Sequence, residues 1–214
     1  MSDDARVDPD PSRGAAAAVV VEEHGRAAVV RLNRPAQRNP LSAPTLDQLN
    51  EIVSALAASA SLSAIIFAGA GGVFASGADI REVLKLAPAD ALDFSRRGQR
   101  LMQKIADAPQ LTIAAVDGHC MGGGLDLALA CDLRVASPRS TFAHPGSRLG
   151  IITGWGGTQR LPRLVGQSRA LEMFLTAARL PAAAALEIGL VSRLDADPLG
   201  RALELATARN EKGD

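Results

Sequence analysis

The chain has 214 residues, of which 47% are hydrophobic, and is therefore long and apolar enough to bury the core of one globular domain. Lys plus Arg and Asp plus Glu both number 23, so the formal net charge is zero. This balance argues against nucleic acids and membrane surfaces as partners, because proteins that bind them usually carry an excess of basic residues. No apolar run approaches the ~20 residues of a membrane span, and the two cysteines indicate a reducing, cytoplasmic compartment rather than a disulfide framework.

The first half of the chain alternates between predicted strands and helices. Residues 1–14 are rich in Asp, Pro and Ser and are predicted to form a disordered tail. Apolar runs over 17–21 and 27–32 flank a polar turn, which predicts a β-hairpin. Ser42 is a candidate N-cap of an amphipathic helix. The elements predicted next are a strand over 64–67, a short helix near Asp79 and a longer helix over 89–106.

The second half continues the alternation and then becomes helical. A buried strand is predicted over 111–116, a glycine triplet and a helix follow, and a strand is predicted over 133–136. Thr141-Phe142 is a candidate short strand, and a long loop over 144–157 follows it. Interleaved strands and helices favour an α/β fold. The last predicted helices cover residues 158–165, 168–178, 181–188 and 198–209.

The triplet Gly122-Gly123-Gly124 stands between the strand over 111–116 and a helix that carries Asp126. Glycines at this junction leave backbone N–H groups bare at a helix N-terminus, where an anion or a carbonyl oxygen that gains charge can bind. The carboxylate of Asp126 would lie in the first turn, beside that oxygen. Alone, the triplet is equally typical of a tight strand-to-helix turn.

A second loop, Phe74-Ala-Ser-Gly-Ala-Asp-Ile80, has the same context, since it follows a buried strand and opens into a helix. Two such loops on neighbouring strands could each present one amide, the N–H of Ala78 and the N–H of Gly123, to a single oxygen. Small residues are needed there so that a substrate can approach the backbone. The two loops together predict an oxyanion hole built from backbone groups.

The ordered set of motifs resembles the crotonase superfamily, the enoyl-CoA hydratase/isomerase family, over roughly residues 17–209. One motif alone has little specificity, whereas the set in this order is highly specific. The motifs are Asn33-Arg-Pro35 with Arg38-Asn39, Ser76-Gly-Ala-Asp-Ile80, Ala114-Ala-Val-Asp-Gly118, Gly122-Gly-Gly-Leu-Asp-Leu-Ala128, Cys131-Asp132 and Gly156-Gly-Thr-Gln-Arg-Leu161.

The resemblance implies an α/β fold, a crotonase-like spiral of ββα units over residues 15–165, followed by a helical C-terminal region over 166–214 that mediates trimers. A usual member continues several tens of residues beyond Asp214, through helices that cover the acyl site and pack between subunits, so this region is expected to be shortened. An acyl-CoA thioester is the implied substrate, with coenzyme A as part of it and with no separate cofactor or metal. A homotrimer or a dimer of trimers is the implied assembly.

The resemblance also assigns roles to residues of the two loops. Ala78 and Gly123 would hydrogen-bond the thioester oxygen. Asp79, Ile80 and Arg81 would line the CoA arm, where Arg81 is placed to meet a phosphate, although a solvated helix residue is an equal alternative. At the acyl end, the resemblance implies substrate contacts at Gly146 and at Trp155, and a packing role for Trp155 is equally open.

Family hydratases use two glutamates as acid and base, and this chain has neither. Asp126 stands at the first position, where it keeps acid/base chemistry possible, although a helix N-terminal acid is the structural alternative. Gly146 stands at the second position and can neither accept nor donate a side-chain proton. Of the nearest polar side chains, His144 has a suitable ordinary pKa. It sits two residues early, however, and the sequence favours an ordinary loop histidine.

The sequence therefore predicts an enzyme that processes acyl-CoA, with enoyl-CoA hydratase of the fatty acid β-oxidation type as the first hypothesis. Asp126 is the predicted acid/base, and Ala78 and Gly123 are the predicted oxyanion hole. An enoyl-CoA isomerase or an acyl-CoA decarboxylase is the alternative, because one carboxylate could shift a double bond and because decarboxylation needs the oxyanion hole more than it needs two carboxylates. A catalytically silent acyl-CoA-binding homologue is the third reading, and Gly146 supports it.

Overall fold

Twelve strands and eight α-helices follow one another along residues 17–210, the part of the chain that the computed structural model describes. The tail predicted for residues 1–14 lies outside this part. The strands are β1 Val19–His24, β2 Ala27–Leu32, β3 Pro40–Leu41, β4 Ala64–Gly69, β5 Val73–Ala75, β6 Gly77–Ala78, β7 Leu111–Val116, β8 His119–Met121, β9 Leu133–Ala136, β10 Thr141–Ala143, β11 Leu180–Pro181 and β12 Arg193–Leu194. The α-helices are α1 Ala43–Ala57, α2 Ile80–Val83, α3 Ala91–Ala106, α4 Gly123–Ala130, α5 Gly157–Val165, α6 Gln167–Thr176, α7 Ala182–Glu187 and α8 Pro198–Asn210, and 3-10 helices cover Pro35–Gln37 and Pro145–Leu149.

Two sheets organise these elements. The larger has the strand order β1-β2-β4-β7-β9-β12, in which β1 and β2 form an antiparallel hairpin and the remaining neighbours are parallel. The smaller has the order β11-β10-β8-β5, with β5, β8 and β10 parallel to one another. A third pair joins β3 to β6. The parallel pairs are formed by strands far apart in sequence, with helices between them, as expected for an α/β fold.

The larger sheet is covered on both faces, which explains why its central strands are continuously apolar. Alternate residues of β4 face opposite sides: Ile65 and Phe67 belong to the main core, with apolar side chains from α1, α3 and α4. Ile66 belongs to a second cluster, in which Ala202 and Ala206 of α8 pack on the other face. The main core extends to the smaller sheet and thereby holds the two sheets in a fixed arrangement.

The elements that depend on local sequence agree with the predictions. The β1–β2 hairpin turns at Gly25 and Arg26. Ser42 caps α1, with its hydroxyl oxygen accepting from the backbone N–H of Thr45 at 3.4 Å. The short helix predicted near Asp79 is α2, and Asp79 is its N-cap.

The candidate short strand at Thr141-Phe142 is confirmed as β10, Thr141–Ala143. The other short strands were missed from the sequence, because two or three residues carry no visible periodicity. Two of them, β5 and β8, turn the predicted loops into strands of the smaller sheet. The predicted loop over 144–157 likewise contains the 3-10 helix Pro145–Leu149.

The C-terminal part of the described chain is mostly helical. Gly166, at φ +87°, separates α5 from α6, and α7 and α8 follow. The division into a core ending at residue 165 and a helical region from 166 stays a prediction. No helix between residues 17 and 210 is long and apolar enough to cross a bilayer.

Candidate active site

Three neighbouring parallel strands of the smaller sheet, β5, β8 and β10, end on the same side of the molecule. The chain leaves β5 through Ser76 into Gly77 and Ala78, leaves β8 through Gly122 into α4, and leaves β10 at His144. Because the carboxyl ends of parallel strands share one edge, residues from three distant segments converge there. This edge is the candidate active site.

The two predicted loops meet closely at this edge. A Cβ atom on Gly77 would lie 2.8 Å from the backbone nitrogen of Gly123 and 2.8 Å from the carbonyl oxygen of Met121, and Gly77 has φ +94°. Both the contact and the backbone conformation therefore require glycine at this position. The structure thus brings Ala78, the next residue, beside the start of α4.

The turn into α4 leaves backbone donors at the start of the helix. Gly122 has φ +52° and ψ −121°, and its N–H donates to the carbonyl of Ala143 at 2.9 Å. Gly123 is the first residue of α4, so its N–H has no helical carbonyl to which it could donate. The arrangement fits the predicted use of Ala78 and Gly123 as a pair of donors.

Asp126 lies in the first turn of α4 and is only 1% exposed. Its Oδ2 accepts a hydrogen bond from the hydroxyl of Thr153, whereas its Oδ1 has no hydrogen-bond partner among the described residues. Burial raises the pKa of Asp126 to about 6, although the Thr153 hydroxyl, nearby backbone N–H groups and the charge of Arg160 act in the opposite direction. A carboxyl group with this pKa can exchange protons near neutral pH.

His144 is the second titratable group of the site, although the sequence favoured an ordinary loop histidine. It follows β10 directly and is 2% exposed. Its Nε2 lies 3.7 Å from Oδ1 of Asp126, and its ring lies 5.1 Å from the ring of Phe174. Burial lowers the pKa of His144 to about 4, so the imidazole is neutral near pH 7.

Gly157, the first residue of α5, lies against both titratable groups. A Cβ atom on Gly157 would collide with Oδ1 of Asp126 and would lie 3.0 Å from Cε1 of His144. Because Gly157 has no side chain, α5 can begin directly over the pair and exclude solvent from it. This contact gives the Gly156-Gly157 motif a structural role at the site.

Trp155 packs against the start of α4 from the other side. Its indole ring is 3% exposed and occupies the space that Cβ atoms on Gly98 and Gly123 would need. The ring of Phe94 lies 5.5 Å away. The structure therefore gives Trp155 a packing role beside Gly123, while its contact with a substrate stays a prediction.

Gly146 lies in the 3-10 helix after His144, and its surroundings leave no room for a larger residue. A Cβ atom there would lie 2.6 Å from the carbonyl oxygen of Ile151. The backbone N–H of Ile151 in turn donates to the carbonyl of Gly146 at 3.0 Å. The segment around Ile151 thus occupies the space into which a glutamate at position 146 would extend.

The predicted CoA-arm residues lie at the start of α2. Asp79 accepts from the backbone N–H of Arg81 at 3.0 Å and pairs with its guanidinium at 2.7 Å. This guanidinium lowers the pKa of Asp79. The Arg81 side chain is 71% exposed and Ile80 is 48% exposed, so both are accessible at the surface.

Sequence reasoning missed Thr153 and Arg160 as groups that act on Asp126, because they belong to a distant segment with no spacing to connect them. The Gly156-Gly157 motif was the available signal that this segment approaches the site. Within residues 17–210, no group of three or more His, Cys, Asp or Glu side chains could hold a metal ion.

Comparisons with known proteins identify the family of the chain. The family model described as enoyl-CoA hydratase/isomerase matches residues 22–212. The chain is 37% identical to the short-chain-enoyl-CoA hydratase of Clostridium acetobutylicum over 177 residues, which cover 82% of this chain and 68% of that protein. It is also 37% identical to the crotonyl-CoA hydratase of Syntrophomonas wolfei, over 82% of this chain and 68% of that protein.

The solved structures include enoyl-CoA hydratase from Bacillus anthracis, which superposes with a TM-score of 0.88 at 33% identity and covers 92% of this chain and 78% of that chain. This likeness confirms the predicted crotonase-like α/β fold. The names of these relatives are consistent with an enzyme that acts on acyl-CoA. The chain therefore belongs to the enoyl-CoA hydratase/isomerase family.

Proposed function

We propose that this protein is an enoyl-CoA hydratase that uses Asp126 as its acid/base. The observation that carries the proposal is the buried carboxyl group of Asp126, whose Oδ1 is unpartnered among the described residues and which lies one helical turn from Gly123. A carboxyl group with a pKa of about 6 is suited to taking up and returning a proton at neutral pH. The hydratases among the relatives support this reaction class.

In the proposed reaction, the thioester oxygen accepts hydrogen bonds from the N–H groups of Ala78 and Gly123. Water adds its oxygen to C3 of the enoyl group, and electron density moves through C2 to the thioester oxygen. Asp126 takes the proton released by the water and returns it to C2, so that one water is added across the double bond. Donors aimed at the developing negative charge typically contribute about 10²–10³-fold each to such a rate.

Isomerisation of a 3-enoyl-CoA to a 2-enoyl-CoA is the second candidate. The observation in its favour is Gly146, which has no side chain and therefore adds no second carboxyl group to the site. One carboxylate is enough to remove a proton from C2 and to return it to C4. Decarboxylation of an acyl-CoA would use the same donors to stabilise the enolate that forms.

The test measures crotonyl-CoA hydration as the loss of its enone absorbance, with the parent protein and Asp126→Asn. Asparagine keeps the size of the side chain but cannot carry the proton, so we expect a loss of about 10²–10⁴-fold in kcat. Incubation with 3-enoyl-CoA substrates, followed by product analysis, tests for an isomerase. Incubation with acyl-CoA thioesters that carry a free carboxyl group tests for a decarboxylase.

Binding can be followed separately, because Trp155 is the only tryptophan and the chain has no tyrosine. Since the indole packs against Gly123, a thioester bound at this residue is expected to change the intrinsic fluorescence. A fluorescence change without turnover, unaffected by Asp126→Asn, would establish the silent acyl-CoA-binding homologue and contradict the enzyme proposal.

The remaining expectations are also proposals. We propose that the exposed guanidinium of Arg81, which pairs with Asp79 in the free protein, binds a phosphate of coenzyme A. The homotrimer or dimer of trimers, the cytoplasmic location and a reaction without a separate cofactor stay predictions. Analytical ultracentrifugation of the purified chain tests the predicted homotrimer or dimer of trimers.

A further inference from the structure

The pair formed by Asp126 and His144 concentrates unpartnered polar atoms in one small volume. Four buried side-chain nitrogen and oxygen atoms lack a hydrogen-bond partner within the described residues, and three of them are Oδ1 of Asp126 and the two ring nitrogens of His144. A buried polar group without a partner destabilises the folded state, because it has lost its hydrogen bonds to water and gained none in the protein. Such a cluster is unusual for a core and is typical of a functional site.

The chemistry of the two groups makes them complementary. A neutral imidazole has one N–H donor and one acceptor nitrogen, whereas an ionised carboxylate accepts only. Burial lowers the pKa of His144 to about 4 and raises that of Asp126 to about 6. As the pH rises from about 5 to 8, the histidine therefore stays neutral while the carboxyl group of Asp126 ionises. The imidazole can then donate a hydrogen bond without carrying a charge.

The separation of 3.7 Å between Nε2 and Oδ1 needs to shorten by less than 1 Å to become a hydrogen bond. Each partner is held by a different contact: Oδ2 of Asp126 by the Thr153 hydroxyl, and the His144 ring by its packing against Phe174. Nothing bulky separates the two groups on the side of α5, because the residue there is Gly157.

We propose that His144 is a positioning residue for Asp126: its neutral imidazole donates the Nε2–H to Oδ1 and thereby supplies the polar partner that Gly146 cannot provide. The consequence for catalysis rests on the proposed function. With Oδ2 held by Thr153 and Oδ1 held by His144, the carboxylate keeps one orientation. Each oxygen still has a second lone pair, which can take up the proton in the reaction. The donor also stabilises the ionised form that begins the reaction.

Other groups near Asp126 also influence its titration. From α5, Arg160 favours the ionised form, and from the loop before it the Thr153 hydroxyl and nearby backbone N–H groups do the same. From β8, the Cys120 thiol faces Asp126, and burial raises the pKa of that thiol well above its ordinary value, so it is neutral. A substitution at His144 leaves these groups unchanged. A difference in the titration midpoint of Asp126 between the variants therefore measures the effect of the imidazole.

The direct test uses NMR titration of the free protein, which needs no turnover. The chain has three histidines, so the imidazole signals can be assigned by their loss in His144→Gln. Asp126→Asn assigns the carboxyl signal of Asp126. In the parent protein we expect the Nε2–H tautomer of His144; a pure Nδ1–H tautomer, which directs the lone pair at the carboxylate, would overturn the proposal.

Two variants of similar size then separate hydrogen bonding from packing. His144→Leu removes the donor, and we expect the Asp126 titration midpoint to rise by about one pH unit, the size of one lost hydrogen bond to a charged group. His144→Gln keeps an N–H donor at similar reach, and its midpoint should stay near that of the parent. An unchanged midpoint in His144→Leu contradicts the proposal.

Kinetics provide the second readout. If the parent hydrates an enoyl-CoA, His144→Leu should lower kcat by about tenfold or more with little change in KM, and should move the acid limb of the pH profile to higher pH, while His144→Gln restores both. If His144→Leu has the same kcat and the same pH profile as the parent, the positioning role is overturned. If the parent turns over no enoyl-CoA, the proposed function fails, and the NMR titration still decides whether the pair exists.

Discussion

The indole ring of Trp155 and the Cα of Gly123 are in contact, and the ring occupies the place where a Cβ atom on Gly123 would stand. Since Gly123 is also the first residue of α4, the same glycine presents its N–H to the site and accepts an aromatic ring on its other side. The position of the helix start is therefore fixed by packing from the loop before α5.

Gly123→Ala tests this contact. Alanine favours a helix by up to about 1 kcal/mol over glycine, but the methyl group would overlap the indole, and overpacking costs about 1–3 kcal/mol. We expect a net loss of stability in chemical denaturation, with a change in the Trp155 emission. Gly200→Ala in α8 is the comparison variant away from Trp155: its methyl would collide with Oδ2 of Asp197, whose Oδ1 accepts from the Gly200 N–H, so any loss of stability there should leave the Trp155 emission unchanged. A Gly123→Ala protein more stable than the parent would contradict the contact.

Gly77→Ala tests the approach of the two loops. The new methyl would lie 2.8 Å from the nitrogen of Gly123, and we expect it to push β6 away from α4 and to lower enoyl-CoA turnover by about 10²-fold, the effect of losing one donor. Gly25→Ala is the control for backbone strain, since Gly25 also has positive φ but has nothing within 4 Å. Equal turnover in the two variants would argue against a shared donor site.

The buried carboxyl group of Asp126 predicts a pH dependence of stability. Its folded-state pKa of about 6 lies above the ordinary value of 3.8, so the folded state favours the protonated form. Ionisation therefore destabilises the protein, and the loss builds up as pH rises from about 4 to above 6. Asp126→Asn should be more stable than the parent by about 1–3 kcal/mol near pH 8 and nearly equal to it near pH 4.

Thermal or urea denaturation at both pH values checks this difference. The lowered pKa of His144 has the opposite sign, because a folded state that disfavours the imidazolium loses stability as pH falls from 6.5 through about 4. That loss is common to the parent and to Asp126→Asn. A stabilisation of Asp126→Asn that is the same at both pH values would show that charge burial is not its cause.

Gly146→Glu tests whether a second carboxylate can simply be added. The Cβ atom would lie 2.6 Å from the carbonyl oxygen of Ile151, so we expect a destabilised protein, by about 1–3 kcal/mol, with no gain in crotonyl-CoA hydration. Ser147→Glu, at the next and exposed position, is the control for added charge. A gain in crotonyl-CoA hydration by Gly146→Glu would contradict this prediction, because it would show that the segment around Ile151 moves to make room for the glutamate.

The sequence predicts the parts of the fold that local rules decide. The hairpin follows from two apolar runs around a polar turn, and the start of α1 follows from Ser42 before Pro44. By contrast, β5 is a strand because it pairs with β8, and β8 is a strand because it pairs with β5 and β10; their three residues show no pattern that separates them from a loop. The strand conformation of β5 and β8 therefore depends on tertiary pairing, which the periodicity of the sequence does not show.

The same distinction holds for the site. Ala78, Gly123 and Asp126 lie in motifs whose order along the chain indicates a common purpose, and the structure brings them to one edge of the smaller sheet. The direction of His144 and the approach of Thr153 depend on how β10 and the loop before α5 pack. No spacing within the sequence encodes such contacts, so only the folded chain reveals them.

The parallel pairing of β5, β8 and β10 has a consequence for the folding kinetics. Each of these strands contributes three residues and joins segments separated by more than twenty positions, so loop-closure entropy must be overcome before the pairing contributes any stability. The groups of the proposed active site at the ends of these strands come together only once all three have paired. Recovery of activity after dilution from denaturant should therefore lag behind recovery of helical circular dichroism.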